Sequence, residues 1–379
     1  MQFTRRGTIQ SGLAMTLWPG DAFAQTSTPL KTLAAAKGIR FGTAIGARSF
    51  ADVDYRALTI EQCSVVTPEN AMKWPTLGPA ADRFALDEAD RFVAWAEKAG
   101  LDPRCHVLLW GRQDRLPGWV ANHDFGSKPV AEADRIVGRH VATIARRYSR
   151  RVRSIDVVNE AIDPGTGAMR ESALAKAAGG FGHLIALSFQ LAREAAPSAE
   201  LVYNDFMDWG SWSAKHRAGV LRLLEAMRKG DIPCDALGIQ AHVNASANPA
   251  SATRYERDWR LFLDEVTGMG YRLLVTEFDV DDRELPTAFA ERDPLIAAYA
   301  RSWCDIVLSY PQCSTFVTWG LSDKYSWLHG FLPRPDKQNK RGCLYDDALR
   351  AKPLREALAA SFIAAPVRPV APQAKRVAA

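Results

Sequence analysis

The 379-residue chain lacks the patterns that mark several large protein classes. No apolar run is long enough to span a bilayer, which disfavours a helical membrane protein. No repeat of about 20–50 residues occurs, which disfavours a solenoid or a propeller. No glycine-rich phosphate-binding loop follows an apolar run, so the sequence does not favour a nucleotide-binding fold.

Cysteine is scarce and widely spaced, with six residues in the chain. No two of them form a C-x-x-C pair, which disfavours a zinc site or a thioredoxin-like redox motif, and we expect neither a metal nor an organic cofactor. Cys304 and Cys313 flank the segment DIVLSYPQ, and a disulfide between them is compatible with an oxidising compartment. The sequence leaves the oxidised and reduced states of this pair open.

Net charge is also small, at +5, and most of it is at the two ends of the chain. Arg5 and Arg6 lie near the N-terminus, and Arg368, Lys375 and Arg376 lie near the C-terminus. The body between them is therefore close to neutral. We expect no nucleic-acid partner, because such proteins concentrate positive charge on one face.

Both ends of the chain have their own composition. Residues 1–24 predict a secretory signal of the twin-arginine type, because Arg5 and Arg6 precede a short, weakly apolar stretch and a small-x-small site ends at Ala24. The alternative is a helical extension of the fold. The signal implies a periplasmic or secreted protein. Residues 364–379, rich in proline, alanine and valine, predict a disordered tail.

Short apolar runs alternate with helical patterns through residues 25–363. Their near-continuous apolar character indicates burial on both faces, as in a parallel sheet covered by helices. Each interval accommodates a crossover helix, and eight such units favour one closed (β/α)8 TIM barrel over an open doubly wound sheet. The runs are IRFGTAI, SVVTPEN, RCHVLLW, SIDVVNE, AELVYND, DALGIQAHV, RLLVTEFDV and STFVTWGLSD.

Polar or aromatic side chains follow most of these runs. In a barrel the carboxyl ends of the strands meet at one mouth, where barrel enzymes have their active sites. Glu160 and Glu277 form a pair at two such ends, and glycoside hydrolysis requires two carboxyl groups. The residues at the predicted mouth are Glu69, Asn70, Trp110, Asn159, Glu160, Asn204, Asp205, Gln240, His242, Glu277, Asp279 and Trp319.

Tryptophan is the other group of candidate site residues. Trp110, Trp319 and Trp327 offer flat apolar faces that suit the C–H faces of sugar rings, although packing is the alternative for each of them. We interpret Trp74, Trp209 and Trp212 as packing or outer-groove residues.

Six segments together resemble the glycoside hydrolase family 10 xylanases. The likeness extends from about Leu30 to Phe362, and the segments occur in the order and spacing of that family. It implies a (β/α)8 barrel that cleaves internal β-1,4 bonds of xylan with net retention. We expect a monomer that needs no cofactor and binds xylan or xylooligosaccharides. The segments are VTPENAMKW, DVVNEAI, VYNDF, IQAHV, VTEFDV and TWGLSDKYSWL.

The resemblance also implies roles by position. Glu160 would be the general acid/base and Glu277 the nucleophile, with His242 and Asp279 as a network that keeps Glu277 ionised. Asn159 would bind the 2-hydroxyl of the sugar that is cleaved. The other implied substrate-binding residues are Glu69, Asn70, Lys73, His106, Trp110, Tyr203, Gln240, His242, Trp319 and Trp327.

One stretch departs from the family pattern R-G-H-x-L-x-W-H-x-Q-x-P. The sequence here is RCHVLLWGRQDRLPGW, so Gly111 replaces the second histidine and the loop to Pro117 is longer. Our hypothesis is that Arg112 or Arg115 reaches into the cleft and favours acidic side groups such as glucuronic acid. The alternative is a longer loop without such a role.

Two other functions are compatible with a sugar-binding barrel. A related glycosidase would act on cellulose, mixed glucan or short xylooligosaccharides. A carbohydrate-binding protein on an inactive barrel would need no catalytic pair. The presence of both Glu160 and Glu277 favours an enzyme.

Overall fold

The computed structural model describes residues 27–246 and 250–368, apart from the side chains of residues 250–253. The predicted signal, residues 1–24, and residues 369–379 of the predicted tail lie outside the described residues.

The strands are short, parallel and almost entirely buried. In chain order they are β1 (Arg40–Ile45), β2 (Val65–Pro68), β3 (Asp102–Trp110), β4 (Ser154–Asn159), β5 (Glu200–Asp205), β6 (Ala236–Ile239), β7 (His242–Asn244), β8 (Arg272–Asp281) and β9 (Cys313–Thr318).

These strands close into the predicted barrel. β1 pairs with β2 and β9, the strands from β2 to β6 pair in chain order, β8 pairs with β9, and β6 pairs with β8 to complete the ring. The sixth barrel strand consists of two pieces, β6 and β7, which are separated at Gln240 and Ala241, and Ala241 has a φ of 64°. Both pieces pair with β8. The predicted (β/α)8 barrel is therefore confirmed.

The helices surround this barrel. They are α1 (Leu30–Ala35), α2 (Ala47–Ala51), α3 (Val53–Gln62), α4 (Trp74–Leu77), α5 (Asp87–Lys98), α6 (Gly118–Ala121), α7 (Pro129–Tyr148), α8 (Ala173–Ala177), α9 (Phe181–Ala195), α10 (Ala214–Lys229), α11 (Ala250–Gly268), α12 (Phe289–Leu308) and α13 (Pro353–Ala364). Short 3₁₀ turns cover Ser211–Ser213, Asp323–Tyr325 and Trp327–His329.

α5 shows how the sequence sets the bounds of a helix. Its first turn contains Asp87, Glu88 and Asp90, whose negative charges suit the positive end of the helix dipole. Phe92 and Val93 are buried on the face toward the barrel. The helix stops before Gly100, which adopts a left-handed φ of 71° at little steric cost.

The C-terminal part of the chain closes the helical ring. α13 packs against α12 and α1. Beyond α13, the Arg368 side chain is buried and donates hydrogen bonds to the carbonyls of Leu308 and Cys313 at 2.7 and 2.9 Å. The body of the fold therefore extends to Arg368, past the start of the predicted tail at residue 364.

The thiols of the described residues are reduced. Cys304 and Cys313, the pair that the sequence left open, are buried and free in the structure. Burial raises the pKa of the Cys313 thiol to about 11, which makes it a poor nucleophile. Among the described residues, no group of histidine, cysteine and carboxylate side chains could hold a metal ion. No helix of the same residues has the length and apolar character needed to cross a membrane.

Candidate active site

A cleft of about 490 Å³ lies at the carboxyl ends of the barrel strands. Most of the side chains that the sequence assigned to the site line this one cleft. They are Glu69, Lys73, His106, Trp110, Asn159, Glu160, Gln240, His242, Glu277, Trp319 and Trp327. Barrel closure is what brings them together, since they come from strands far apart in the chain.

Glu277 lies within β8 and is 5% exposed. Its Oε1 accepts a hydrogen bond of 2.8 Å from Asn204 Nδ2, and its Oε2 is 3.4 Å from His242 Nε2. Burial raises the pKa of Glu277, but the hydrogen bond from His242 and the positive charges of His106, His242 and Lys73 outweigh it, so that the pKa falls to about 2. The carboxyl group is therefore ionised at neutral pH.

His242 is fixed by a second carboxylate. Its Nδ1 donates to Asp279 Oδ1 at 2.8 Å, and Trp327 Nε1 donates to the other oxygen of Asp279 at 2.6 Å. Burial lowers the pKa of His242, but the charges and hydrogen bonds of Asp279 and Glu277 raise it overall to about 10. A pKa of this size favours the imidazolium ion at neutral pH, next to the carboxylate of Glu277.

Glu160 follows the end of β4 and has a φ of 53°, in the left-handed region. Its Oε2 accepts hydrogen bonds from Trp110 Nε1 and Arg112 Nη1, both at 3.1 Å. Its Oε1 accepts from Gln240 Nε2 at 3.1 Å. Both oxygens are therefore held by donors from neighbouring strands and loops.

A chain of amides connects the two carboxyl groups. Asn159 Oδ1 accepts from Gln240 at 3.2 Å and from Asn204 at 2.9 Å. These two amides also donate to Glu160 and Glu277 respectively. The two glutamates are thus oriented by one hydrogen-bond network.

Asn204 is a residue of this network to which the sequence gave no role. Its Oδ1 accepts from Thr276 Oγ1 at 2.6 Å, so that its Nδ2 faces Asn159 and Glu277. Gly238 on β6 leaves the space for it, because a Cβ there would lie 2.4 Å from Asn204 Oδ1. A polar residue at the end of a strand was visible in the sequence, but its partners were not.

Tyr203 is not placed where the sequence predicted. We expected a substrate-binding residue, but its side chain is fully buried and does not line the cleft. Its hydroxyl accepts from the backbone N–H of Ala161 at 3.2 Å and donates to Asp205. Because residues alternate faces along a strand, Tyr203 points away from Asn204 and braces the turn that contains Glu160.

The opposite wall combines polar groups with aromatic faces. Lys73 donates to Asn70 Oδ1 at 2.9 Å, and its ammonium group lies 5.2 Å from the Trp110 ring centre and 6.0 Å from that of Trp319. Burial lowers the pKa of Lys73, an effect opposed by the negative charges of Glu277 and Glu69. Asn70 itself is exposed beside the cleft, outside its lining.

His106 lies at the base of this wall. Its Nδ1 is 2.9 Å from Asp156 Oδ2, and its ring meets the Trp319 ring edge to face at 5.3 Å between centres. Both residues line the cleft. Trp319 is 8% exposed, so most of its ring is packed and only a small part of it faces the cleft.

Several lining residues were not assigned to the site by the sequence. Trp212, which we interpreted as packing or outer groove, is 56% exposed and lines the cleft, whereas Trp74 and Trp209 are buried. Arg112 and Arg115 also line the cleft, which fits the hypothesis that one of them reaches into it. Lining residues without any earlier assignment are Pro164, Phe206, Asp208, Ser213, His216, Asn244, Asp281, Leu328 and Phe331. Most come from loops, whose paths are not encoded in the period of the strands.

The arrangement of two carboxyl groups in a barrel mouth agrees with comparisons to known proteins. A sequence model of glycosyl hydrolase family 10 matches residues 29–361. The chain belongs to this family.

Named relatives support the same conclusion. Endo-1,4-beta-xylanase 1 of Gibberella zeae is 30% identical over 87% of this chain and 89% of its own length. Endo-1,4-beta-xylanase B of Thermotoga neapolitana is 29% identical over 88% of this chain and 91% of its own.

Solved structures give the same result. The crystal structure of native xylanase 10B from Thermotoga maritima superposes with a TM-score of 0.77 at 27% identity, over 88% of this chain and 98% of that one. Xylanase 10B from Thermotoga petrophila RKU-1 in complex with xylobiose gives 0.78 at 26% identity, over 89% and 98%. The predicted family is confirmed, and the chain is a retaining glycoside hydrolase of the endo-1,4-β-xylanase family.

Proposed function

We propose that this family 10 enzyme cleaves internal β-1,4-xylosidic bonds of xylan and xylooligosaccharides, with Glu277 as the nucleophile and Glu160 as the general acid/base. The observation that carries the proposal is the shared amide network, which orients two carboxyl groups in one cleft, with His242 of a barrel strand next to Glu277 and Arg112 of a loop next to Glu160. Two carboxyl groups with different roles are what retaining hydrolysis requires.

In the first step, ionised Glu277 attacks the anomeric carbon of the bound sugar. The bond to the leaving oxygen breaks, and Glu160 transfers its proton to that oxygen. A glycosyl ester of Glu277 results. The low pKa of Glu277, about 2, suits both the attack and the later departure of this carboxylate.

In the second step, ionised Glu160 removes a proton from a water molecule that attacks the same carbon. The ester bond to Glu277 breaks, and Glu160 is left protonated for the next cycle. Two inversions at one carbon give net retention. Donors to both oxygens of Glu160 hold the ionised carboxylate in place for this step.

The remaining predicted residues supply substrate binding in this proposal. Glu69, Asn70 and Lys73 bind hydroxyl groups on the glycone side, and Trp319 and Trp327 pack on the sugar rings. Asn159 binds the 2-hydroxyl, a bond that strengthens in the transition state. Tyr203 is not included, because it is buried.

The test is a proton NMR time course with xylohexaose, recorded before mutarotation mixes the anomers. β-Anomers formed first, from internal bonds, support the assignment of both carboxyl groups. α-Anomers formed first overturn Glu277 as a nucleophile. Absence of cleavage points to another β-glycan or to an inactive sugar-binding barrel.

We also propose that residues 1–24 direct export and that the mature enzyme is a monomer in the periplasm or outside the cell. The support is the sequence of that segment, since it lies outside the described residues. N-terminal sequencing of the exported protein is expected to begin at Gln25. Replacement of Arg5 and Arg6 by lysine is expected to block export, and light scattering is expected to give a monomer mass.

A further inference from the structure

The loop between β3 and α6, residues 111–117, has no side chain where the family pattern has its second histidine. A Cβ at Gly111 would lie 2.2 Å from Cζ of Phe181, so the ring of Phe181 closes that position. A histidine at this position would collide with Phe181 unless that ring moved. The polar groups nearest the cleft on this loop are instead Arg112 and Arg115.

Arg112 joins the loop to the proposed acid/base. Its Nη1 donates to Glu160 Oε2 at 3.1 Å, while its Nε and Nη2 form a fork with the two oxygens of Asp114 at 3.1 and 3.0 Å. When Glu160 carries the proton that it donates to the leaving oxygen, this ion pair is reduced to a neutral contact. Arg112 then keeps Asp114 as its charged partner.

Arg115 shares that partner. Its Nε is 3.4 Å from Asp114 Oδ2, and its guanidinium carbon lies 4.9 Å from the centre of the Trp110 ring. The side chain is 48% exposed. One carboxylate therefore balances two guanidinium groups, so the loop presents positive charge at the cleft while Glu160 is protonated.

A second cavity lies beside the cleft on the same side. It has a volume of about 410 Å³, within the range of small-molecule sites, and it is bounded by the loops after β3 and β4. Arg112 lines both this cavity and the cleft. Arg170 also lines it, and the acidic residues of its lining are Asp114, Asp163 and Glu171. A branch on a sugar bound near Glu160 has space there.

We propose that Arg112 and Arg115 form a subsite for the carboxylate of a uronic acid side group on the xylan chain. The fork of Arg112 is already paired with Asp114, so Arg115, with its exposed guanidinium group, supplies the donors that match the two carboxylate oxygens, and Arg112 adds positive charge. The subsite rests on the proposed function and adds a preference for acidic substrates to it.

The decisive measurement is the ratio of kcat/KM for a uronic-acid-substituted xylooligosaccharide to that for the unsubstituted one of equal length. In the native enzyme this ratio is expected to fall as salt is added, because salt screens exposed charges. It is also expected to fall when the uronic carboxyl is reduced to an alcohol. These two readouts need no variant.

Variants then assign the effect to the loop. Arg115→Gln is expected to lower the ratio by roughly three- to tenfold, and Arg115→Lys by less, because it keeps the charge but loses the planar fork. Arg135→Gln is the matched control, since Arg135 is an exposed arginine that is paired with Glu132 on α7, outside the lining of the cleft. It is expected to leave the ratio as in the native enzyme.

The outcomes separate the two proposals. A ratio that is insensitive to salt, to carboxyl reduction and to Arg115→Gln, with normal cleavage of the unsubstituted substrate, overturns the subsite only. Failure to cleave either substrate overturns the proposed function itself.

Discussion

The two carboxyl groups of the cleft are held by different parts of the barrel. Glu277 lies inside β8, and its partners Asn204 and His242 are also on barrel strands. Glu160 lies beyond the end of β4, and one of its oxygens is held by Trp110 and by Arg112 of the loop after β3.

The strand partners of Glu277 and the loop near Glu160 should therefore have different effects on activity. The strand frame stabilises the ionised form of Glu277, because His242 and Asp279 are fixed by strand pairing between β7 and β8. The surroundings of Glu160 include a loop that departs from the family pattern. Substitutions near Glu277 should therefore affect all substrates, whereas those near Glu160 should depend on the leaving group or on side groups.

The largest expected effect is that of Glu277→Ala. Loss of the nucleophile should reduce kcat/KM on the order of 10⁵-fold for natural and activated β-xylosides alike, as removal of a nucleophile does in other covalent enzymes. Steady-state kinetics on xylohexaose and on an aryl β-xyloside checks this. Glu225→Ala, at an exposed ion pair on α10, is the control for a lost carboxylate. Substantial residual activity on either substrate would contradict the role of Glu277.

Glu160→Ala sharpens the comparison, because its effect should depend on the leaving group. Hydrolysis of xylan should fall by roughly 10²- to 10⁴-fold. Glycosylation by an aryl xyloside with an acidic leaving group should be largely spared, since that group needs little protonation. Pre-steady-state measurement of aryl release separates this step from hydrolysis of the ester. Equal losses in both first steps would remove Glu160 from the acid role.

His242→Gln tests the charge of Glu277. The pKa of Glu277 is about 2 with His242 present, and removal of the imidazolium should raise it toward its ordinary value of 4.5. The acidic limb of the kcat/KM profile should therefore move to higher pH by about one unit or more, because the nucleophile becomes protonated earlier on acidification.

The control for this shift is His183→Gln, which removes a histidine paired with Asp134 at the surface. An unchanged acidic limb in His242→Gln would show that other groups stabilise ionised Glu277. The pH dependence of the free energy of unfolding should change in the direction expected from the same pKa. A lowered pKa contributes stability above pH 4.5 that is lost as the pH falls toward 2, and this acid-sensitive part should shrink in His242→Gln.

The smallest expected effect on catalysis is that of Tyr203→Phe. The change leaves the buried N–H of Ala161 without its acceptor and removes one of the donors to Asp205, at a cost of roughly 1–3 kcal/mol in the free energy of unfolding. Loosening of the turn at Glu160 should reduce xylan hydrolysis more than the glycosylation step with activated substrates.

Tyr271→Phe is the matched control for Tyr203→Phe. The Tyr271 hydroxyl donates to the carbonyl of Leu224 at 2.8 Å, away from the cleft. It should lower the denaturation midpoint without a preference between substrates. Equal activity ratios in the two variants would assign Tyr203 to stability alone.

Much of the fold follows from local patterns in the sequence. The short, near-continuous apolar runs and the helical period of 3.6 residues between them predict alternating strands and helices. Eight such units predict a sheet that closes into a barrel. The break at Gln240 and Ala241 in the sixth strand is not visible in such patterns. It depends on the positive φ of Ala241 and on pairing with β8.

The site divides in the same way. Glu160, Glu277 and His242 were identified because each follows or ends an apolar run within a motif, and such residues converge wherever a barrel closes. Tyr203 was misplaced, although it lies one position before Asn204. Which face of β5 meets the cleft is decided by the register of β5 with its neighbours and not by the motif.

The sequence by itself thus determined the fold class, the family and the strand ends that bear the two carboxyl groups. Only the tertiary structure decided the contacts between those ends. Arg112 donates to Glu160, which lies 48 positions later in the chain, and Asn204 donates to Glu277, which lies 73 positions later. Local patterns reflect the burial of single strands and helices, whereas hydrogen-bond partners depend on barrel closure and loop paths, which involve residues far apart in sequence.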